Sequence, residues 1–364
     1  MRILNVMQCT NLGGMEQASL RLMTGLQARG HGCQVLSLNP LGGLAPLLET
    51  SGIAAEGLAY RGRGGWRSAV ELRGRLASVR ADALIMTGHN LLAMLLLGQL
   101  CRGRRLLAMH FHHTGVKPSW QWRRIYAVAR RRFGHITYPS DFIRREAVAI
   151  DPKVGAIAVT VRNPLSLPEL PDEQTRREAR ARLGLPRDAK LVGNAGWLIQ
   201  RKRFDVFLQV ASRVSRKDPS VAFVVAGDGD RRDSLMGLAR DLGLEGRVFW
   251  LGWQKDMAAF YQAIDVLLFN SDWDALAMTP IEAMSYGVPV VASVLNGGLD
   301  EVMTGAPLGR LYHRHDLDGM CEAVLDYVNG VGAEAKEQAR HHIASICDYE
   351  RCVTEVERLL SHAS

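Results

Sequence analysis

The sequence predicts an α/β protein of two domains, each built on a parallel sheet wrapped by helices. Three observations carry that expectation. Short apolar runs of strand length alternate with helical segments, the pattern of βα units. The chain has 364 residues, more than one typical core holds. An aperiodic, proline-rich stretch from Arg162-Asn163-Pro164 to Pro171 divides it and reads as an interdomain hinge.

In the first half, residues 3–7 read as a strand and 16–29 as a helix closed by Gly30. Between them lies a loop carrying Gly13-Gly14 and Glu16. Glycines before a helix let the backbone come close to a ligand, although an ordinary turn has the same look. Further strand-like runs are 34–38, 83–86, 106–109, 136–138 and 157–161, and 91–100 reads as a buried helix. His110-Phe111-His112-His113 follows the 106–109 run, at a strand's C-terminal edge, where ligand contacts concentrate. No second cluster with ligand spacing accompanies these histidines, so no metal site is expected. In 120–133, Trp122, Ile125, Tyr126, Ala129 and Phe133 share one helical face, and Arg123, Arg124, Arg130 and Arg131 share the other. Two readings stand: a helix lying on an anionic membrane surface, or a core helix with a solvated basic face.

In the second half, 173–183 reads as a charged helix and 191–195 as a strand. Gly196 ends that strand, and Arg201-Lys202-Arg203 follow as a candidate diphosphate clamp. Residues 221–226 form a strand with the turn Gly227-Asp228-Gly229, then come a helix at 235–242 and a strand at 248–251. A buried strand is expected at 265–269, followed by the polar loop 270–274. Thr279-Pro280-Ile281-Glu282 fits a capping box, with Thr279 as N-cap and Glu282 reaching back. Gly287 closes that helix, 288–292 is a strand, and Asn296-Gly297-Gly298 is a turn. Asp274 and Glu282 thus flank a loop that feeds a helix N-terminus between two strands. Backbone N–H groups there attract phosphate, and two readings of the carboxylates stand: they hold sugar or ribose hydroxyls, or Glu282 only caps its helix and Asp274 only solvates the loop. Amphipathic helices are expected at 316–329, 333–346 and 349–362.

Composition narrows the function classes. Hydrophobic content of 47% with 23% charged residues is that of a soluble globular protein. The longest apolar run, 91–98, is too short to span a bilayer. The six cysteines form no CxxC pair, so reduced thiols and a cytoplasmic setting are expected. The net charge of +8 is unevenly placed: 22 Lys+Arg against 9 Asp+Glu in 1–170, and 23 against 28 in 171–364. A basic half suggests an anionic surface. The chain lacks the motifs of nucleic-acid readers, so no nucleic-acid partner is expected.

The stretch Glu282-Ala283-Met284, Gly287-Val288-Pro289-Val290-Val291 and Gly297-Gly298 resembles the donor-site signature of the retaining glycosyltransferases of family 4, the glycosyl transferases of group 1. The Gly13-Gly14 loop, Gly196 with Leu198 and Lys202, and Gly227-Asp228-Gly229 extend the likeness. Asp274 stands where the family carries Glu, Ala275 where Gly is usual, Trp197 in place of an Arg, and Arg203 in place of a Gly. The resemblance implies the GT-B fold, two Rossmann-like domains facing each other across a cleft. It assigns 1–167 to acceptor binding, 168–346 to the nucleotide-sugar, and 347–364 to a helix crossing back onto the first domain. It implies metal-independent hexosyl transfer with retention, from a UDP- or GDP-sugar and without a cofactor. The acceptor would be a glycan or lipid-linked, in cell-surface polysaccharide or lipopolysaccharide synthesis, at the inner membrane face. By the same resemblance His110, Asp274 and Lys202 act in catalysis. Gly13, Gly14, Gly196, Arg201, Lys202, Arg203, Gly227, Ala277, Met278, Thr279 and Glu282 hold the donor, with Arg201 or Arg203 supplying the guanidinium absent at Trp197. A nucleotide-sugar 2-epimerase of the same fold and a degenerate nucleotide-binding member are the alternatives.

Overall fold

The structure, a computed structural model, describes residues 1–58, 70, 72–75, 80–100, 104–108, 117–295 and 297–362. The chain divides into two compact units: Met1–Leu165 with Cys347–Ser364, and Ser166–Ile346.

The first unit holds a seven-stranded parallel sheet in the order β3-β2-β1-β4-β5-β6-β7. Its strands are β1 Arg2–Met7, β2 Gly32–Ser37, β3 Ala54–Gly57, β4 Ala83–Thr87, β5 Arg104–Ala108, β6 His135–Tyr138 and β7 Ala158–Thr160. β3 (AAEG) was not anticipated, because so short a run has no apolar stretch to mark it. The order reverses between β1 and β4. Helices that follow strands on either side of such a point leave on opposite faces, opening a crevice at the C-terminal strand ends. Beneath it, Asn5 Nδ2 donates to Ser19 Oγ (2.6 Å) and Thr87 Oγ1 donates to Asn5 Oδ1 (3.0 Å), so these buried polar groups are satisfied.

The helix Tyr349–His362 packs into this unit's core, with Val353, Val356, Leu359 and Leu360 against Ile3, Leu22 and Leu26. Gly25 permits the approach: a Cβ there would lie 2.6 Å from Val353 Cγ2. Glu357 ties the helix down through Arg29 (2.9 Å) and His31 (2.7 Å).

The helix Ser119–Arg132 corrects one half of the membrane reading of 120–133, the aromatic residues at lipid depth. Trp122, Ile125, Tyr126, Ala129 and Phe133 are buried in the core, packed beside the helix Leu91–Leu100. The face expected at lipid depth is therefore already covered by protein. Of its aromatic residues Trp120 alone is exposed, with the Arg124 guanidinium 4.8 Å from its ring centroid. Among the described residues, no helix is long and apolar enough to cross a membrane.

The second unit holds a six-stranded parallel sheet in the order β10-β9-β8-β11-β12-β13. Its strands are β8 Lys190–Ala195, β9 Val221–Ala226, β10 Val248–Gly252, β11 Val266–Phe269, β12 Val290–Ser293 and β13 Gly309–Tyr312. The helix Phe204–Lys217 lays Phe207 against Phe223 of β9, ring edge to face at 6.2 Å, in a core shared with the helix Leu317–Val328. Here the order reverses between β8 and β11. The loops that leave those two strands, 196–203 and 270–277, carry the clamp and the acidic residue singled out above.

Candidate active site

The two loops are stitched together by main chain and side chain. β8 and β11 are hydrogen-bonded neighbours, with Val192 opposite Val266, so segments some 70 positions apart meet at one edge. The Arg201 carbonyl accepts from Asp272 N (2.8 Å) and from Ser271 Oγ (3.3 Å). The Arg201 guanidinium donates to Trp273 O (2.7 Å) and Asp274 Oδ1 (2.9 Å) and lies 4.4 Å from the Trp273 ring centroid. The Lys202 ammonium donates to Asp274 Oδ2 (2.8 Å). Asp274 therefore spends each oxygen on a different cation. Its side chain is 16% exposed. Burial pushes its carboxyl up, but Lys202 and Arg201 together outweigh that and hold it below the usual carboxylate range. Two cations share one anion, which leaves one positive charge in excess at the switch point.

Arg203 faces elsewhere. Its guanidinium binds Asp205 Oδ2 (2.9 Å) and Asp272 Oδ1 (3.2 Å), and the Asp205 bond raises its pKa further. Its backbone is left-handed, φ +47°, a conformation that costs a side-chain-bearing residue about 1 kcal/mol. That is the physical reason a glycine suits this position, and it answers which guanidinium stands beside Lys202: Arg201.

Gly196 and Gly227 act through absence of a side chain. A Cβ on Gly227 (φ +151°) would lie 1.9 Å from Gly196 O. The amides of both are already used, Gly196 N donating to Ala226 O (2.9 Å) and Gly227 N to Gly252 O (2.8 Å). Neither N–H can therefore serve a phosphate, and the pair's contribution is to let β8 and β9 converge. Gly297 does the same beside Asp274: a Cβ would fall 1.7 Å from Asp274 O, while Gly298 N donates to Ala275 O (3.1 Å).

The helix after the 270–277 loop runs Met278–Ser285, and its N-cap is Ala277, without a side-chain cap hydrogen bond. The expected capping box is absent. Thr279 sits inside the first turn, and Pro280 is tolerated there because the first four N–H groups of a helix have no intrahelical partner anyway. Glu282, expected to reach back as a cap, instead accepts from the Tyr261 hydroxyl at Oε2 (2.8 Å). The amides of Met278 and Thr279 thus stand at a helix start that no side chain caps, close along the chain to Asp274. As expected, Gly287 ends the helix at φ +71°.

Tyr261 and Trp253 were not foreseen. Tyr261 lies on the helix Met257–Ala263, where nothing in the sequence marks a tyrosine that touches an acid 21 positions on. Trp197, the residue standing for the family's Arg, is 44% exposed and pairs with Trp253, ring centroids 4.4 Å apart. Both follow strand ends, β8 and β10, so an aromatic surface flanks the cations. A cavity of about 330 Å³ in this unit lies elsewhere, at the N-terminal end of β11, and is lined by Arg176, Asp265 and Lys336.

In the first unit, Gly13 is the N-cap of the helix Gly14–Ala28, also without a side-chain cap bond. A Cβ at Gly13 would meet Glu16 Oε2 at 2.4 Å. Glu16 is buried, which pushes its carboxyl up, and it accepts from Cys9 Sγ (3.3 Å). At the β1/β4 switch point, Asn90 Nδ2 donates to Gln8 Oε1 (2.9 Å), and Gln8 Nε2 donates to Asn39 Oδ1 (3.3 Å). His110, with His112 and His113, lies outside the described residues, as does Asn296.

Residues 175–342 match the family model described as Glycosyl transferases group 1, and residues 12–160 match that described as Glycosyltransferase Family 4. The chain is 31% identical over 172 residues to the lipopolysaccharide core biosynthesis glycosyltransferase LpsE of Rhizobium meliloti, a match covering 47% of this chain and 49% of that protein. It is 28% identical over 156 residues to a poly(ribitol-phosphate) alpha-N-acetylglucosaminyltransferase of Staphylococcus aureus, covering 42% and 32%. The chain thus spans about half the length of the first of these curated relatives and a third of the second. Among solved structures, Anabaena Alr3699/HepE in complex with UDP and glucose superimposes with a TM-score of 0.85 at 17% identity over 99% of both chains. WaaG, a glycosyltransferase involved in lipopolysaccharide biosynthesis, gives 0.74 at 15% identity over 99% of this chain and 100% of that one. At these identities the likeness establishes the fold.

Proposed function

Because the chain belongs to the glycosyl transferases of group 1 and has their GT-B fold, we propose that it transfers a hexose-type sugar from a nucleotide-sugar to a glycan or lipid-linked acceptor. The anomeric configuration is retained and no metal takes part. Of the relatives named above, one is a lipopolysaccharide core biosynthesis glycosyltransferase and one a poly(ribitol-phosphate) alpha-N-acetylglucosaminyltransferase, and cell-surface polysaccharide is the setting we infer for this chain. The observation that carries the reading is the Arg201–Asp274–Lys202 cluster at the β8/β11 switch point, beside the uncapped start of Met278–Ser285.

In this reading the donor's diphosphate lies against Lys202 and Arg201 and the amides of Met278 and Thr279. Those fixed positive groups offset the charge that grows on the leaving diphosphate, the largest electrostatic task in the reaction. Glu282, steadied by Tyr261, accepts from the ribose hydroxyls. Asp274 sets the two cations in place and turns its remaining lone pairs to the sugar hydroxyls. The bond from the anomeric carbon to the phosphate oxygen breaks, and the acceptor hydroxyl adds to the same face. Its proton passes to the departing phosphate oxygen. Charge supplied by side chains and a helix terminus does the work that a divalent cation would otherwise do.

The acceptor falls to the first unit. Its switch point presents neutral amides, Gln8, Asn39 and Asn90, where the second unit presents cations. Neutral donors and acceptors suit hydroxyl groups as cations suit phosphate. A lipid-linked acceptor would bring the chain to an anionic bilayer through charge, on the exposed Arg123, Arg124 and Arg131, and without insertion of the buried aromatic face.

Thermal stabilisation by UDP-, GDP- and ADP-sugars tests the reading, since a ligand that binds the folded state raises the melting temperature. UDP-glucose and its epimers come first, given the UDP in the structural relative. Product analysis with and without a cell-envelope extract then separates transfer from donor epimerisation. No stabilisation by any nucleotide-sugar would remove the proposal.

A further inference from the structure

The cavity at the N-terminal end of β11 lies at the opposite end of that strand from Asp274. It has a volume of about 330 Å³ and a floor made by Asp265 and by 286–289, where Gly287 leads into β12. Its walls come from Leu170 and Pro171, from Arg176 on the helix Glu173–Arg182, and from Lys336 on the helix Ala333–Cys347. The residue at 287 has to be small: besides its positive φ, a Cβ there would lie 2.8 Å from Leu170 Cδ2 and 3.1 Å from Lys336 Cβ.

Charge at this cavity is out of balance. Among the described residues that line it, Asp265 is the one carboxylate, and both its oxygens are engaged. Oδ1 binds Arg176; Oδ2 binds Arg180 Nη2 (2.9 Å) and accepts from Leu191 N (2.8 Å). Arg180 is itself fully engaged, donating also to the carbonyls of Ala263 (3.0 Å), Arg187 (2.7 Å) and Ala189 (3.0 Å). Lys336 has no ion pair among the described residues, although it is part-buried and lines the cavity. Burial first, then Arg176, push its pKa down, against the opposing pull of Asp265. Among the described residues Arg176 has a single ion-pair partner, Asp265, which it shares with Arg180. Three cations therefore surround one anion, in a half of the chain that carries more acidic than basic residues. A half-buried ammonium whose nearby carboxylate is already shared between two guanidinium groups is costly, and a cavity beside it offers room for a further anion.

We propose that this cavity is a second anion site, separate from the cations at Lys202, that takes a phosphate dianion between Lys336 and Arg176. The phosphate is either free inorganic phosphate or the end of a phosphomonoester. The volume admits a phosphate carrying a small hydroxylated body, and Tyr286 and Tyr327 supply apolar wall for one. The site also adjoins the donor-binding side chains: Tyr286 stacks on Tyr261, ring centroids 5.5 Å apart, and Tyr261 donates to Glu282.

The test uses the full chain at constant ionic strength, titrated with inorganic phosphate and, separately, with glucose 1-phosphate, affinity being read by thermal shift and calorimetry. Binding is expected in the native chain and in Lys202→Ala alike, and should be about tenfold weaker in Lys336→Met, the loss of one charge-assisted contact. Lys336→Arg, which keeps the charge, should restore it and shows that loss in the Met variant is not misfolding. Tighter binding of glucose 1-phosphate than of inorganic phosphate would identify the phosphomonoester as occupant, and the reverse would identify the free ion. Equal affinity in native chain and Lys336→Met, or loss of phosphate binding on Lys202→Ala, would overturn the proposal by placing the anion at the donor site.

Discussion

Lys202 and Asp274 stand 72 positions apart in the chain and 2.8 Å apart in the fold, ammonium against carboxylate. Arg201 occupies the other oxygen of the same carboxylate at 2.9 Å. On the proposed function, a diphosphate arriving at this site competes with Asp274 for both cations.

That competition gives Asp274→Asn an unusual signature. Removing the negative charge frees both cations for the ligand, so UDP affinity should rise by about tenfold. Turnover should fall by about a hundredfold, because the groups that meet the transition state are no longer held in place. Calorimetry and steady-state kinetics on the same variant check both halves. Weaker nucleotide binding with unchanged turnover would remove Asp274 from this role.

The same carboxylate makes a pH prediction. Its folded pKa is depressed, so it contributes stability that is fully present above the unfolded value of about 3.9. That contribution disappears as pH falls through the lower folded value. The stability difference between native chain and Asp274→Asn, measured by urea unfolding, should be constant near neutrality and shrink below about pH 4. A difference that does not change with pH would show that the pair adds nothing to folding.

Arg201 and Arg203 should separate cleanly. Arg201→Ala removes a cation beside Lys202 and should lower kcat/KM by about a hundredfold. Arg203→Gly removes a guanidinium already held by Asp205 and Asp272 and relieves the left-handed strain. Nucleotide affinity should stay within about twofold of native, since two carboxylates already occupy that guanidinium. Comparable losses in both variants would contradict the assignment of Arg201.

Tyr261→Phe tests the proposed ribose contact of Glu282 indirectly. It removes the hydroxyl that donates to Glu282 and should raise the nucleotide Kd by about fivefold, the worth of one hydrogen bond. Glu282→Gln should weaken binding further. If Tyr261→Phe lowers the melting temperature but leaves Kd untouched, the bond is structural only.

On the basic helix, changing Arg123, Arg124 and Arg131 together to Glu should reduce sedimentation with vesicles containing anionic lipid. Added salt should reduce sedimentation of the native chain in the same way. Salt-insensitive binding would point to an apolar contact instead, which the buried positions of Trp122 and Tyr126 argue against.

Much of the fold was legible because its signals are local. Runs such as 221–226 and 266–269 are apolar for strand length, and Gly287 stops a helix by its own φ. β3 and β13 were missed because AAEG and GRLY hold no apolar run to mark a strand. The Thr279 cap failed for a different reason. A Ser/Thr-x-x-Glu pattern is satisfied locally only if no better partner exists, and Tyr261 supplied one from another helix.

By itself the sequence determined where backbone turns, where strands end and which residue types stand at those ends, since these depend on side-chain shape over a few positions. It placed Lys202 after one strand and Asp274 after another, and it set Trp197 where an arginine is usual. Only the tertiary structure decided which of these groups touch. Strand order brought the ends of β8 and β11 side by side, gave Arg201 rather than Arg203 to Asp274, and buried the aromatic face of Ser119–Arg132. The physical reason is range: backbone preference acts within a turn or two, whereas charge pairing and burial depend on distances that the chain fixes only when the sheets close.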